Sequence, residues 1–219
     1  MFQSWDEPGG YEFMLKNRRE QVATGRLMPQ INEEYGSEGS YPTWAEVLKS
    51  PPARAGDNRR RLAWEMTMAG TYQTTGERAD IAGFGGWING RGDPRMTMLI
   101  GYGHLKKFFE SFDCWKLEPR PDVLAGPTQP VSDAKPPEAG ALVLKSEPMV
   151  LAEEGQRYVI YLPRGGSATV KLGDGNFGSR WFNPRTGQFT GEPFTAIGEW
   201  TSPRAPDADD WVLLVDRRR

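Results

Sequence analysis

The chain has 219 residues, and its 27 basic and 29 acidic side chains leave a formal net charge of −2 with the two signs interspersed, which argues against a nucleic-acid partner. A single cysteine, Cys114, excludes an intrachain disulfide and a cysteine-ligated zinc site, and no apolar run reaches the length of a membrane span. Eight Trp, seven Tyr and ten Phe supply core material, while 26 Gly and 18 Pro fit a β-rich part beside a loop-rich α/β part better than a helix bundle.

The first residues carry no basic stretch followed by an apolar run, so no signal peptide is expected. Phe2 to Trp5 reads as a short buried strand. Tyr11, Met14, Leu15, Arg18 and Val22 recur at spacings of three and four, which predicts an amphipathic helix over 11–24 capped by Gly25. Leu27 to Asn32 is the next strand, followed by Glu33-Glu34-Tyr35-Gly36 and a glycine-rich loop. A short helix is expected from Thr43 to Leu48, broken by Pro51-Pro52.

Asp57 can cap a helix over about 58–69, in which Leu62, Ala63, Met66 and Ala69 form one apolar face and Trp64 and Met68 another. Such a helix is expected to be buried on two sides. The basic triplets Arg59–Arg61 and Arg217–Arg219 read as solvated charge. Thr71 to Thr75 is a third strand, and a loop of glycines with Trp87, Asn89 and acids comes after it. Helix, strand and polar loop make one step of a (β/α) barrel, whose chemistry sits on the loops after the strands. About three such steps are legible here. Residues 95–113 form the last helix of this part, with Trp115 and Leu117 packing after it.

Between Pro119 and Gly140 there are six prolines and few large apolar residues, so 119–139 reads as a linker or an extended wrap. The period then changes. Tyr158 to Leu162, a turn at Pro163–Ser167, and the alternating Ala168, Val170 and Leu172 predict a hairpin. Arg180 to Phe182, Phe189, Phe194 and Trp211 to Val215 add short strands, with Asn183–Gly187 as a turn. Residues 140–219 are therefore expected to hold a small antiparallel β-sandwich or barrel.

These residues resemble the C-terminal part of bacterial glycoside-hydrolase-like (β/α)8-barrel proteins. Such proteins carry a C-terminal β-sandwich whose family is named for collagen binding in a collagenase. The barrel resemblance rests on Gln30–Gly36, Ala63–Glu77 and Gly86–Asp93. The sandwich resemblance rests on Tyr158–Pro163, Trp181–Gly187 and Asp210–Leu214. It implies a partial (β/α)8 (TIM) barrel over 1–118, holding about the last three strands, and a sandwich over 140–219. Phe2–Trp5, Met28–Asn32 and Thr71–Thr75 match the sixth, seventh and eighth strands; strands one to five have no counterpart. The implied partner is a polysaccharide or oligosaccharide, or a collagen-like protein, with no cofactor. Full-length relatives are expected to be secreted or periplasmic.

In retaining enzymes of this kind the nucleophile is a Glu at the end of the seventh strand, so the resemblance places it at Glu34, with Glu33 as the register alternative. A carboxylate there points into the barrel mouth. The competing account makes both residues loop acids that cap the next helix. Retention needs two carboxyl groups about 5–5.5 Å apart. The acid/base comes from the fourth strand in the related barrels, and Glu77, Asp80 and Asp93 do not match that position. The chain alone is thus expected not to hydrolyse a glycoside. Trp87 can stack on the C–H face of a sugar or pack under its glycine loop, and Trp5 has the same two readings. Tyr35, Tyr72, Gln73 and Asn89 complete the substrate contacts. The tripeptide Arg91-Gly92-Asp93 reads as a barrel loop, with Asp93 capping the last helix.

His104 is the only base available to Cys114. Ten helical residues separate them by about 15 Å, so a thiol dyad is not expected. His104 reads as structural. Met66, Met68, Met96 and Met98 read as core filler. A third possibility is that residues 140–216 only brace the barrel, with Trp181, Trp200 and Trp211 as core.

Overall fold

The computed structural model describes residues 10–32, 56–73, 97–126 and 147–218. The chain divides into two compact units, and one of the boundaries between them falls inside a helix, between Gly103 and His104. Phe2–Trp5, the helix over 43–48, and the 74–96 stretch with its glycine loop lie outside the described residues.

In the first unit, α1 spans Gly10–Ala23 and buries Tyr11, Met14 and Leu15 on the face given by their spacing. Burial, with the Glu12 charge adding to it, pushes the Tyr11 phenol up to about 12. Val22 departs from the expected face and is 60% exposed in the last turn. Gly25 ends the helix in the left-handed region at φ 69°, its amide donating to Val22 O at 3.0 Å.

The strand expected over 27–32 contracts to β1, Ile31–Asn32. Leu27 and Met28 are about half exposed instead, and the Met28 amide donates to Gln21 Oε1 at 2.7 Å. Helix α2 spans Gly56–Met68 and so starts ahead of Asp57, the expected cap. Leu62, Ala63, Trp64 and Met66 are all buried, as an apolar surface spread around the helix requires. Thr71 then reverses the chain, its amide and hydroxyl both donating to Met66 O. Strand β2, Tyr72–Gln73, lies parallel to β1, pairing Ile31 with Tyr72 and Asn32 with Gln73.

Helix α3 spans Thr97–Glu110. Gly101 lies against the stem of Arg60, where a Cβ would sit 3.1 Å from Cγ. The second unit begins at His104 in this same helix. After a 3-10 turn at Cys114–Lys116, Leu117 is buried as expected. Trp115 is not: it stands 73% exposed within the 3-10 turn, whereas Leu117 follows that turn in extended conformation.

The stretch from 119 is not a linker throughout. Strand β3, Glu118–Pro119, pairs antiparallel with β4, Met149–Glu153, and Val123 enters the core. Residues 127–146, which include the rest of the expected linker and the first residues of the expected sandwich, lie outside the described residues. Strand β4 turns into β5, Arg157–Leu162; β6, Thr169–Asn183, turns into β7, Gln188–Thr201; and β8 is Trp211–Arg217. These strands form one antiparallel sheet in the order β3-β4-β5-β8-β6-β7.

The hairpin expected between 158–162 and 168–172 does not form. Strand β5 pairs with β4 and β8. Gly165 and Gly166, at φ 59° and 85°, carry the chain across the fold rather than back along β5. A Cβ at Gly165 would lie 2.2 Å from Asp207 O, so only glycine fits. The turn expected at Asn183–Gly187 does form and joins β6 to β7.

Two side-chain rows cross the sheet. Trp181, Leu213, Ile160 and Val150 are register partners on the face that builds the main core, with Tyr158, Phe177 and Trp211. Phe182, Val212, Tyr161 and Met149 form the row behind them and are also buried. Phe108 of α3 packs on Phe182 with ring centroids 4.7 Å apart, and Phe109 and Phe112 meet Phe108 edge-on. The end of α3 is thus a covering layer of the β-unit. Along β6 the register shifts between Lys171 and Asn176. The bridge from Leu124 to Val170 then links the chain after the edge strand β3 with the far half of β6, curling the sheet over its core.

Candidate functional site

Strand alternation sorts the residues at the ends of β1 and β2. Gln30 is buried and donates through Nε2 to Met14 O of α1 at 3.1 Å. Gln73 donates through Nε2 to Ala63 O at 2.9 Å and to Thr67 Oγ1 at 3.2 Å, both on α2. Asn32, the register partner of Gln73, is fully buried. Gln30, Asn32 and Gln73 therefore share the face toward the helices. Ile31 and Tyr72 share the other, and Tyr72 is 66% exposed there.

Of the residues expected at the site, Tyr72 presents an open phenol ring on the face away from the helices. Gln73 is turned the opposite way and holds β2 to α2, so its amide nitrogen is already bonded within the protein. Glu33, Glu34, Tyr35, Trp87 and Asn89 lie outside the described residues, as do Trp5, Glu77, Asp80 and the tripeptide at 91–93.

An open cleft of about 510 Å³ lies between α1 and the approach to β1, lined by Phe13, Asn17, Glu20, Gln21 and Met28. Its one carboxylate, Glu20, is exposed and 3.8 Å from Lys16. A pair of facing carboxyl groups, the requirement of glycoside hydrolysis, is not assembled in it.

In the β-unit, Trp181 and Trp211 are 2% and 3% exposed and meet edge-on with ring centroids 6.2 Å apart. They are core, and their faces are closed to a sugar. Trp200 is partly buried against the same core. Arg185 fastens the turn after β6 to the loop before β8. It donates to Asp207 at 2.8 Å and to Asp209 at 2.6 Å, while Trp211 Nε1 donates to Asp207 Oδ1 at 2.7 Å. Burial raises the Asp207 pKa, but the hydrogen bonds from Arg185, Trp211 and the Asp209 amide outweigh it and hold the carboxyl below its ordinary value. No cluster of metal-ligating residues occurs among the described residues. His104 takes the structural part expected of it: its Nδ1 lies 3.1 Å from Pro184 O and its ring lies against Gly187.

Residues 143–216 match the model of the family described as "Putative collagen-binding domain of a collagenase". No curated protein matches the sequence. Among solved structures, the chain is similar to one described as a glycoside hydrolase, with a TM-score of 0.62 and 17% identity. That alignment covers 93% of this chain and 45% of the other. It is also similar to a glycoside hydrolase family 5 structure from Bacteroides vulgatus, with a TM-score of 0.66, 17% identity, and coverage of 94% and 44%. At this identity the likeness is one of fold. The chain spans less than half the length of either neighbour.

Proposed function

We propose that this chain supplies the last strands of a glycoside-hydrolase barrel, together with its appended β-domain, for a retaining enzyme acting on polysaccharide. The observation that carries this reading is the parallel pair β1–β2, with helices bonded to one of its faces. Parallel strands occur in sheets covered on both faces, and an isolated two-stranded ribbon is marginal in water. The fold likeness to glycoside hydrolases supports it, since nearly all of this chain aligns with under half of each neighbour. On this reading β1 and β2 are the seventh and eighth barrel strands, and the residues before β1 include the sixth.

The nucleophile is then Glu33 or Glu34. Glu34 is the candidate that the barrel resemblance favours, with Glu33 as the register alternative. Tyr72 is a rim contact for sugar, joined by Tyr35, Trp87 and Asn89. Gln73 serves as a strut.

The acid/base has no counterpart in this chain, so hydrolysis requires further barrel strands. The chain alone is expected to release no product from aryl glycosides or soluble polysaccharides. In a longer protein that supplies those strands, Glu34→Gln is expected to lower kcat by at least about 10³-fold, with Glu33→Gln the milder change. Turnover by the chain alone, or full kcat in both the Glu34→Gln and the Glu33→Gln enzymes, would overturn the proposal.

A second reading is favoured by the family match over 143–216: a non-catalytic module that binds carbohydrate or collagen, with the α/β part as its scaffold. Retention of the chain on collagen fibrils but on no polysaccharide would select it.

A further inference from the structure

We infer that Trp115 is a stacking platform for a polysaccharide chain, displayed by the turn between α3 and β3. This rests on the glycan-processing reading above and adds a glycan contact distant in sequence from the strand ends.

Trp115 stands apart from the other described tryptophans. Trp64, Trp181 and Trp211 are buried and Trp200 is partly buried, whereas Trp115 is 73% exposed. An exposed indole is the largest apolar surface a single residue can offer to a ligand.

The turn that displays it is tightly held. The Lys116 amide donates to Asp113 O at 3.2 Å, and the Leu117 amide donates to Cys114 O at 3.1 Å. Lys116 Nζ pairs with Asp113 Oδ2 at 3.0 Å, and Leu117 anchors the far side in the core. A ring carried by an already ordered turn loses little further freedom on binding.

The surroundings select the ligand class. Asp113, Lys116 and Glu118, all within three residues of Trp115 in the chain, are exposed as it is. One apolar face inside a hydrophilic rim matches a pyranose, whose C–H face stacks on an indole while its hydroxyls reach polar groups at the edge. A protein partner such as collagen calls for a broader contact, on the order of 1,000 Å² with a desolvated centre of several side chains. The exposed acids that flank it in the chain also disfavour an anionic lipid surface.

The test uses the full chain and three proteins: wild type, Trp115→Ala and Trp115→Phe. Each is incubated with insoluble cellulose, xylan and chitin and, in parallel, with collagen fibrils, and bound protein is quantified. Thermal unfolding is followed alongside, because an exposed side chain should change Tm little. Wild type is expected to bind at least one polysaccharide. Trp115→Ala is expected to bind about tenfold more weakly, and Trp115→Phe to fall between them. Equal polysaccharide binding by wild type and Trp115→Ala would remove the platform and leave the glycan reading intact. Retention of wild type on no polysaccharide, or a Trp115-dependent loss confined to collagen, would overturn the inference. Hydrolysis by a longer protein remains a separate measure of the barrel reading.

Discussion

Trp181 and Trp211 are core, whereas Trp115 stands exposed. Both lie inside the β-unit, and truncating either to Ala should cost about 3–5 kcal/mol, measured by denaturant unfolding. Gly187 is constrained twice, by φ 70° and by the His104 ring, which a Cβ would approach to 2.5 Å at Cδ2. Gly187→Ala is therefore expected to destabilise by about 1–3 kcal/mol, read as a lower denaturant midpoint. The Asp207 carboxyl lies below its ordinary pKa in the folded chain. A lowered folded value gives stability that is complete above the unfolded pKa and lost as pH falls through the folded one. Unfolding between pH 6 and 2 should accordingly show a loss below about pH 4 that Asp207→Asn reduces. Residue types were enough to nominate these tryptophans as core or platform. Choosing between the two needed the sheet register, because it puts Trp181 beside Leu213 on the inner face.

At the scale of elements, α3 links chain order to packing. Its second half belongs to the same unit as the sheet, through Phe108, Phe109 and Phe112. Phe108→Ala should destabilise the β-unit by about 3–5 kcal/mol, whereas Ile100→Ala, at a half-exposed position of the same helix, should stay within about 0.5 kcal/mol. A sequence signal for this covering layer exists. Tyr158–Leu162 and Trp211–Val215 are unbroken apolar runs, and a strand with one wet face would alternate. The helices α1, α2 and α3 were legible from their spacing. The partners of β5 were not, because a run of apolar residues records burial and not which strand lies beside it. Strand β3 was hidden by the prolines around it, although Pro119 is tolerated at the sheet's edge.

For the whole molecule, fold likeness and family match differ in extent and answer different questions. The likeness to glycoside hydrolases runs over nearly all of it, and the family match covers only 143–216. What the sequence determined by itself was the set of locally encoded features: helix periodicity, β-rich composition after the proline-rich stretch, and the turn at Asn183–Gly187. Each depends on residues a few positions apart, whose spacing along the backbone is set by covalent geometry. Tertiary structure alone decided which strands pair, that Gln73 turns to α2 while Tyr72 turns away, and that Leu117 is buried while Trp115, two residues earlier, is exposed. Those outcomes depend on side chains brought together from distant parts of the chain, and local spacing carries no record of which distant surface arrives to cover a given face.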